Sequence, residues 1–316
     1  MILFELVGDQ LGPLGWSFYH FLWQGMLVAA LYSVACLLCG DNARRRYALA
    51  SLFLVVAIVL PGWQIWMILA RHHGLALGIG PPESLLPWMT FAALLWLCVA
   101  AALSASAIMR AVALKRRWLA GAVEDLRWRE IEQSVAAKIG LKSAPRVVRS
   151  ATADVMVVMG WRRPTIVIPE EMPRDLKDWQ LRGLLAHELA HVTRYDPLLN
   201  LVLSVFESFV FFHPAAAWLA SEVRRLREYC CDDIAVQVAG DAIAYARGLT
   251  ALAKMPGLTT RTTLSANSGD LKTRVLRLVA KRNLADAFLS DARRFTFWLA
   301  SAAAVVVISK IICRLM

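Results

Sequence analysis

His187-Glu188-Leu189-Ala190-His191 sets two imidazoles four residues apart, with a carboxylate directly after the first. On an α-helix positions i and i+4 project from one face, so the two rings can grip one metal ion. Glu188 is then placed to take a proton from a water activated there. Leu184, Leu185, Ala186, Leu189, Ala190 and Val192 surround the motif and predict a largely buried helix over residues 176–194. Three ionisable groups buried without partners cost several kcal/mol each. One Zn2+ per chain would compensate them.

A catalytic zinc takes a third protein ligand and keeps one position open. Arg227-Glu228-Tyr229-Cys230-Cys231-Asp232-Asp233 continues a helical stretch that starts near Ser221. Glu228 is the first candidate for that ligand, and a Cys231 thiolate is its rival. Asp232, one turn further, is either an acceptor that orients a ligand histidine or plain helix surface. Arg225, one turn before Glu228, is either an oxyanion stabiliser or a solvated arginine. Of the remaining histidines, His20 lies in an apolar segment, His72 and His73 in a loop, and His213, in FFHP, reads as a turn residue.

The elements that must carry these residues divide by composition. Of the 316 residues, 58% are hydrophobic, against the roughly 45–50% of soluble domains, so a membrane protein is expected. Residues 16–39, 47–70 and 86–109 are apolar runs, each longer than the roughly 20 residues that cross hydrocarbon. A shorter run, 295–312, predicts a fourth span. Arg44, Arg45 and Arg46 lie between the first two runs, and Arg110, Lys115, Arg116 and Arg117 follow the third. Positive charge stays on the cytoplasmic side, which puts the N-terminus outside. The expected organisation is three spans in residues 1–114, a cytoplasmic domain in 115–294, and a fourth span with a short tail in 295–316. That is a multi-pass membrane protein. No cleavable signal peptide is evident, because the first fifteen residues lack Lys and Arg. The net charge of +11 is assigned to residues that face anionic lipid heads, so direct nucleic-acid binding is not expected.

Within 115–294, residues 123–139 predict a helix closed by Gly140, and RVVRS, DVMVVMG and PTIVIPE predict strands of a small sheet. Residues 241–254 and 270–282 predict further helices, joined by a polar stretch. The expected class is therefore a helical membrane protein with a cytoplasmic α+β domain. The segment 197–220 poses a problem, because crossing the membrane there would put Glu228 on the opposite side from His187 and His191. It must go in and return, broken at His213-Pro214. An arm over 197–212 is about 24 Å long, too short to cross. A hairpin dipping into the membrane follows, and Glu207 is tolerable in it.

HELAHVTRYD, FFHPAAAWL and REYCCDD, preceded by GWRRPTIVIPEEM, resemble the antirepressor zinc metallopeptidases of the BlaR/MecR type, over nearly the whole chain. These are gluzincin-like membrane proteases, related in outline to HtpX and the CAAX-prenyl proteases. The resemblance implies His187 and His191 as zinc histidines, Glu188 as catalytic glutamate and Glu228 as third ligand in an E-x-x-C-D pattern. Asp232 and Arg194-x-Asp196 match further family positions. It also implies a cytoplasmic transcriptional repressor as substrate in transmembrane signalling, with self-cleavage in the polar stretch 258–269 as an added expectation. The beta-lactam sensors carry a penicillin-binding domain after the last span, with an S-x-x-K nucleophile; here only Cys313–Met316 follow, and S-x-x-K is absent from the sequence. A separate sensor subunit, a signal entering through the spans or the short outer loop, or a shortened chain are the corresponding expectations, with homo-oligomerisation left open. Peptide hydrolysis is expected on an extended substrate added to a sheet edge, Val155–Met159 or Thr165–Ile168. The rival readings are an HtpX-like quality-control protease and a non-proteolytic, zinc-dependent signal transducer.

Overall fold

The computed structural model describes residues 2–40, 42–71, 85–141, 143–172, 177–253, 268–279 and 284–315. Residues 258–267 of the polar stretch, together with His72 and His73, lie outside that set. The apolar runs form helices α1 (Ile2–Cys39), α2 (Ala43–Arg71) and α3 (Leu86–Leu119). Among the described residues, three stretches within them are long and apolar enough to cross a membrane: Leu14–Cys39, Ala43–Met67 and Pro87–Leu119. The expected fourth run falls in the last helix, α10 (Leu284–Leu315), whose side chains are described only to residue 308.

The chain folds as two units. The first comprises Met1–Ser106, Ser204–Arg224 and Asn283–Met316, and the second Ala107–Leu203 and Arg225–Arg282. In the first, Arg46 at the start of α2 donates to Asp291 of α10 at 2.7 Å, and both side chains are buried. The same unit holds the turn between α6 (Asp196–Phe209) and α7 (Pro214–Ala239). His213 does close this turn, as expected, and also packs in the interior. Its Nδ1 accepts from the Ala216 amide at 3.2 Å, and its Nε2 lies 3.0 and 3.1 Å from the carbonyls of Phe21 and Leu22. Residue 25 must be glycine for this approach, because a Cβ there would sit 2.4 Å from the His213 Nε2.

The two arms run antiparallel. Arg224 of α7 forks both nitrogens onto the Glu207 carboxylate of α6, and further along Arg227 donates to Asn200 at 3.0 Å. The reversal demanded by the position of Glu228 is thus a helical hairpin.

The second unit is built on a four-stranded sheet, β1 (Val123–Glu124), β2 (Arg146–Ser150), β3 (Val157–Met159) and β4 (Thr165–Pro169), in the order β1-β2-β4-β3. The first strand is a departure from the expected helix over 123–139. Asp125 caps α4 (Leu126–Ile139) by accepting from the Arg127 amide, which frees the two residues before it to pair with β2. β4 is parallel to β2 and antiparallel to β3, so it lies inside the sheet. Of the two edges expected to accept a substrate, only β3 is an edge; Thr165–Ile168 has both sides paired. α5 (Asp178–Thr193) buries Leu181, Leu185 and Leu189 with Ile166 and Ile168 of β4 and Val135 of α4. Two residues on, at about 100° per residue, the helix turns His187 and His191 away from that core. The unit is completed by α8 (Ala242–Ala253) and α9 (Ser268–Val279).

Candidate metal centre

The two imidazoles of α5 meet edge to face, ring centroids 4.8 Å apart, with their Nε2 atoms separated by 3.2 Å. Glu228 of α7 faces both: Oε2 lies 3.3 Å from Nε2 of His187, and Oε1 3.7 Å from Nε2 of His191. One ligand atom from each of these residues falls within 4.8 Å of the others. Tetrahedral ligands at bond lengths of roughly 2.0–2.1 Å lie about 3.3 Å apart, so this donor set suits a small divalent cation.

Electrostatics agree with that fit. Burial alone would push the His187 imidazole down, and Arg274 acts the same way, yet contacts with Asp232 and Glu228 raise it to about 9. Burial also works against ionisation of Glu228, but His191, His187 and Arg274 hold its carboxyl well below the usual range. The pocket thus favours positive charge between the three ligands. Glu188 is partly exposed, and burial pushes its carboxyl above the ordinary range against the pull of His191 and His187. Such a carboxylate is a stronger base than one in water.

Each imidazole is held from behind by its Nδ1. Tyr195, between α5 and α6, has φ +55, uncommon for a residue with a side chain. That turn sets Asp196 with Oδ2 2.6 Å from Nδ1 of His191. On the other side, Nδ1 of His187 lies 3.2 Å from Oδ1 of Asp232 and 3.1 Å from the Tyr245 hydroxyl, which itself donates to Oδ1 at 2.9 Å. Arg274 of α9 fixes Asp232 with a fork, Nε to Oδ2 at 2.9 Å and Nη2 to Oδ1 at 2.6 Å, and its Nη1 lies 3.4 Å from Glu228. Burial opposes the charge on Asp232, but Arg274 and His187 together outweigh it and hold the carboxyl at about 2.

Cys231 sits on the Nδ1 side of His191, its Sγ 3.5 Å from that nitrogen and 3.8 Å from Asp196. Burial pushes its thiol well above the ordinary value, as suits a neutral group rather than a thiolate. Arg225 lies over the Tyr229 ring, 5.6 Å from its centroid. The guanidinium that reaches the ligand set belongs instead to Arg274, which reasoning from sequence missed along with Tyr245. A signal for Arg274 existed. Leu271, Arg274, Val275 and Leu278 share one helical face, and a cation on an apolar stripe demands a buried partner.

The sequence profile of the family described as BlaR1 peptidase M56 matches residues 82–278, well over half of the chain. The chain belongs to this family. The regulatory protein BlaR1 of Bacillus licheniformis is 30% identical over 84 residues, 27% of this chain and 14% of that protein. The chain therefore matches only a small part of that relative's length. M56 membership makes the chain a peptidase and suggests a metal cofactor, for which the cluster on α5 and α7 is a candidate group; the three apolar helices fit a membrane protein.

Proposed function

We propose that this M56 peptidase is a zinc metalloendopeptidase of the bacterial inner membrane. Its site would face the cytoplasm, with the α6–α7 hairpin dipping into the bilayer. Its substrate would be a cytoplasmic protein, a transcriptional repressor, whose cleavage relays a signal across the membrane. The supporting observation is the convergence of both Nε2 atoms and the Glu228 carboxylate, with Glu188 between the two histidines in sequence. His187, His191 and Glu228 would hold the ion. Two imidazoles and one carboxylate are the donor set of zinc hydrolases.

Bound there, zinc would lower the pKa of a water towards about 7 and polarise a peptide carbonyl. Glu188 takes the proton of the attacking water and returns it to the leaving amine. Asp196 and Asp232 accept from the Nδ1–H of their histidines, which keeps each Nε2 lone pair aimed at the ion. Arg274 holds Asp232 ionised for that task. β3 offers a free edge along which an extended peptide would pair. The substrate would be soluble rather than membrane-bound, and the chain's own 258–269 stretch is a second candidate. A separate sensor subunit and a second copy of the chain are further candidate partners.

Glu188→Ala in the full chain should keep its zinc, measured by mass spectrometry of the metal, and lose peptide cleavage altogether. Cleavage at the wild-type rate would refute the assignment of the base. Comparing protein N-termini in cells with native protein and with that variant tests the substrate. One or two cytoplasmic proteins should differ. Broad accumulation of membrane proteins would point instead to quality control.

A further inference from the structure

We propose a second site, distinct from the peptidase centre, that binds an anionic phospholipid headgroup at the turn between β3 and β4. The turn Gly160-Trp161-Arg162-Arg163 packs beside Lys115 of α3, and these five residues line a cavity of about 610 Å³. Its shape depends on Gly160, which has φ +80, and a Cβ there would sit 3.1 Å from the Arg163 carbonyl and 3.6 Å from the Lys115 ammonium. The cavity falls in the range of roughly 300–1,000 Å³ common for small-molecule sites.

Its chemistry is one-sided. Lys115, Arg162 and Arg163 are all exposed, and among the described residues none of them has an acidic partner within ion-pair distance. Three cations around one cavity repel one another unless an anion sits between them. Guanidinium and ammonium donors together match the oxygens of a phosphodiester. Trp161, 47% exposed, carries Arg162 over its ring at 5.7 Å from the centroid. An exposed indole with cations around it is the pairing found at the headgroup level of membranes.

Position separates a lipid from a free anion. Lys115 belongs to a helix whose apolar run ends at Met109. At 1.5 Å per residue it stands about 9 Å beyond that point. This is close to the Debye length of about 8 Å at physiological ionic strength, so the charge of the leaflet still acts on it. An acidic peptide would satisfy the cations but gives no reason for the bare tryptophan. The assignment does not depend on proteolysis.

The test uses the full chain in detergent, with native mass spectrometry and a triple variant, Lys115→Gln, Arg162→Gln and Arg163→Gln. These side chains are exposed, so the variant should melt with the wild type. With phosphatidylglycerol and phosphatidylcholine supplied equally, the wild type should retain one more phosphatidylglycerol per chain than the variant. The affinity for that molecule should fall at least tenfold on substitution. Equal occupancy in both proteins, or equal retention of phosphatidylcholine, overturns the proposal. So does release of the lipid by inorganic phosphate, which would mark a soluble-anion site, or by an acidic peptide, which would mark a protein site.

Discussion

His191 and His187 hold equivalent places in the candidate centre, yet the chain supports them in different ways. The acceptor behind His191 is Asp196, five residues on, delivered by one turn through Tyr195. Behind His187 stand Asp232 from α7, Tyr245 from α8 and Arg274 from α9, the last 87 residues away. One support is local and needs only a turn. The other exists only when three helices are docked, so the His187 side ties the ligand geometry to the folded state of the whole unit. A peptidase built this way can lose its site by loosening a helix far from the chemistry.

The largest expected effect lies on the long-range side. Asp232→Ala removes the fork that Arg274 makes and leaves this buried guanidinium only its longer contact with Glu228, which should cost about 3–5 kcal/mol, read as a lower unfolding midpoint of the metal-free protein. An unchanged midpoint would mean that the Arg274 fork is not held in solution.

Glu132 of α4 sharpens the point, because it is as buried as Asp232 but lacks such a cation. Among the described residues its Oε1 has no hydrogen-bond partner, and burial pushes its carboxyl up to about 7, with Arg129 only partly opposing. A raised acid stabilises the fold fully below the unfolded value of 4.5 and loses that contribution as pH rises through 7. The wild type should therefore lose up to about 3 kcal/mol across this window, and Glu132→Gln should flatten the profile.

On the local side, Asp196→Asn should weaken metal binding about 10–100-fold. Its midpoint should move less than that of Asp232→Ala, because the nearest guanidinium atoms, of Arg227 and Arg194, stand 3.8 and 3.9 Å from Asp196. Competition with a chelator checks the first part. Equal losses of stability at the two aspartates would erase the contrast between local and distant support. The smallest effect belongs to Tyr245→Phe, about 1 kcal/mol for one hydroxyl, with metal still bound.

Legibility in the sequence followed the same division. The helical repeat exposed His187, Glu188 and His191, and the apolar runs exposed the membrane helices. The need to return Glu228 to the two histidines required the hairpin on sequence grounds alone. Asp232 was legible as an acceptor because it lies one turn from Glu228 on the same helix. The apolar stripe around Arg274 called for a buried partner, but that the partner is Asp232, with Tyr245 beside it, was not legible, since no local pattern tells which buried polar group of one helix will meet which of another. Strand order was equally hidden. β3 and β4 read alike as short β-branched runs, and only the pairing of β4 with β2 removed one of the two candidate edges.

By itself, then, the sequence determined what repeats at short range: the spacing of imidazoles on one helical face, the lengths of the apolar segments, and the distribution of arginine and lysine around them. These depend on helix geometry and solvation, which every neighbouring residue reports. Tertiary structure alone decided which candidate edge stays free, the arginine that secures the distant aspartate, and the gathering of three cations around Gly160. Those depend on contacts between residues far apart in the chain, and such contacts exist only after the helices and strands have packed.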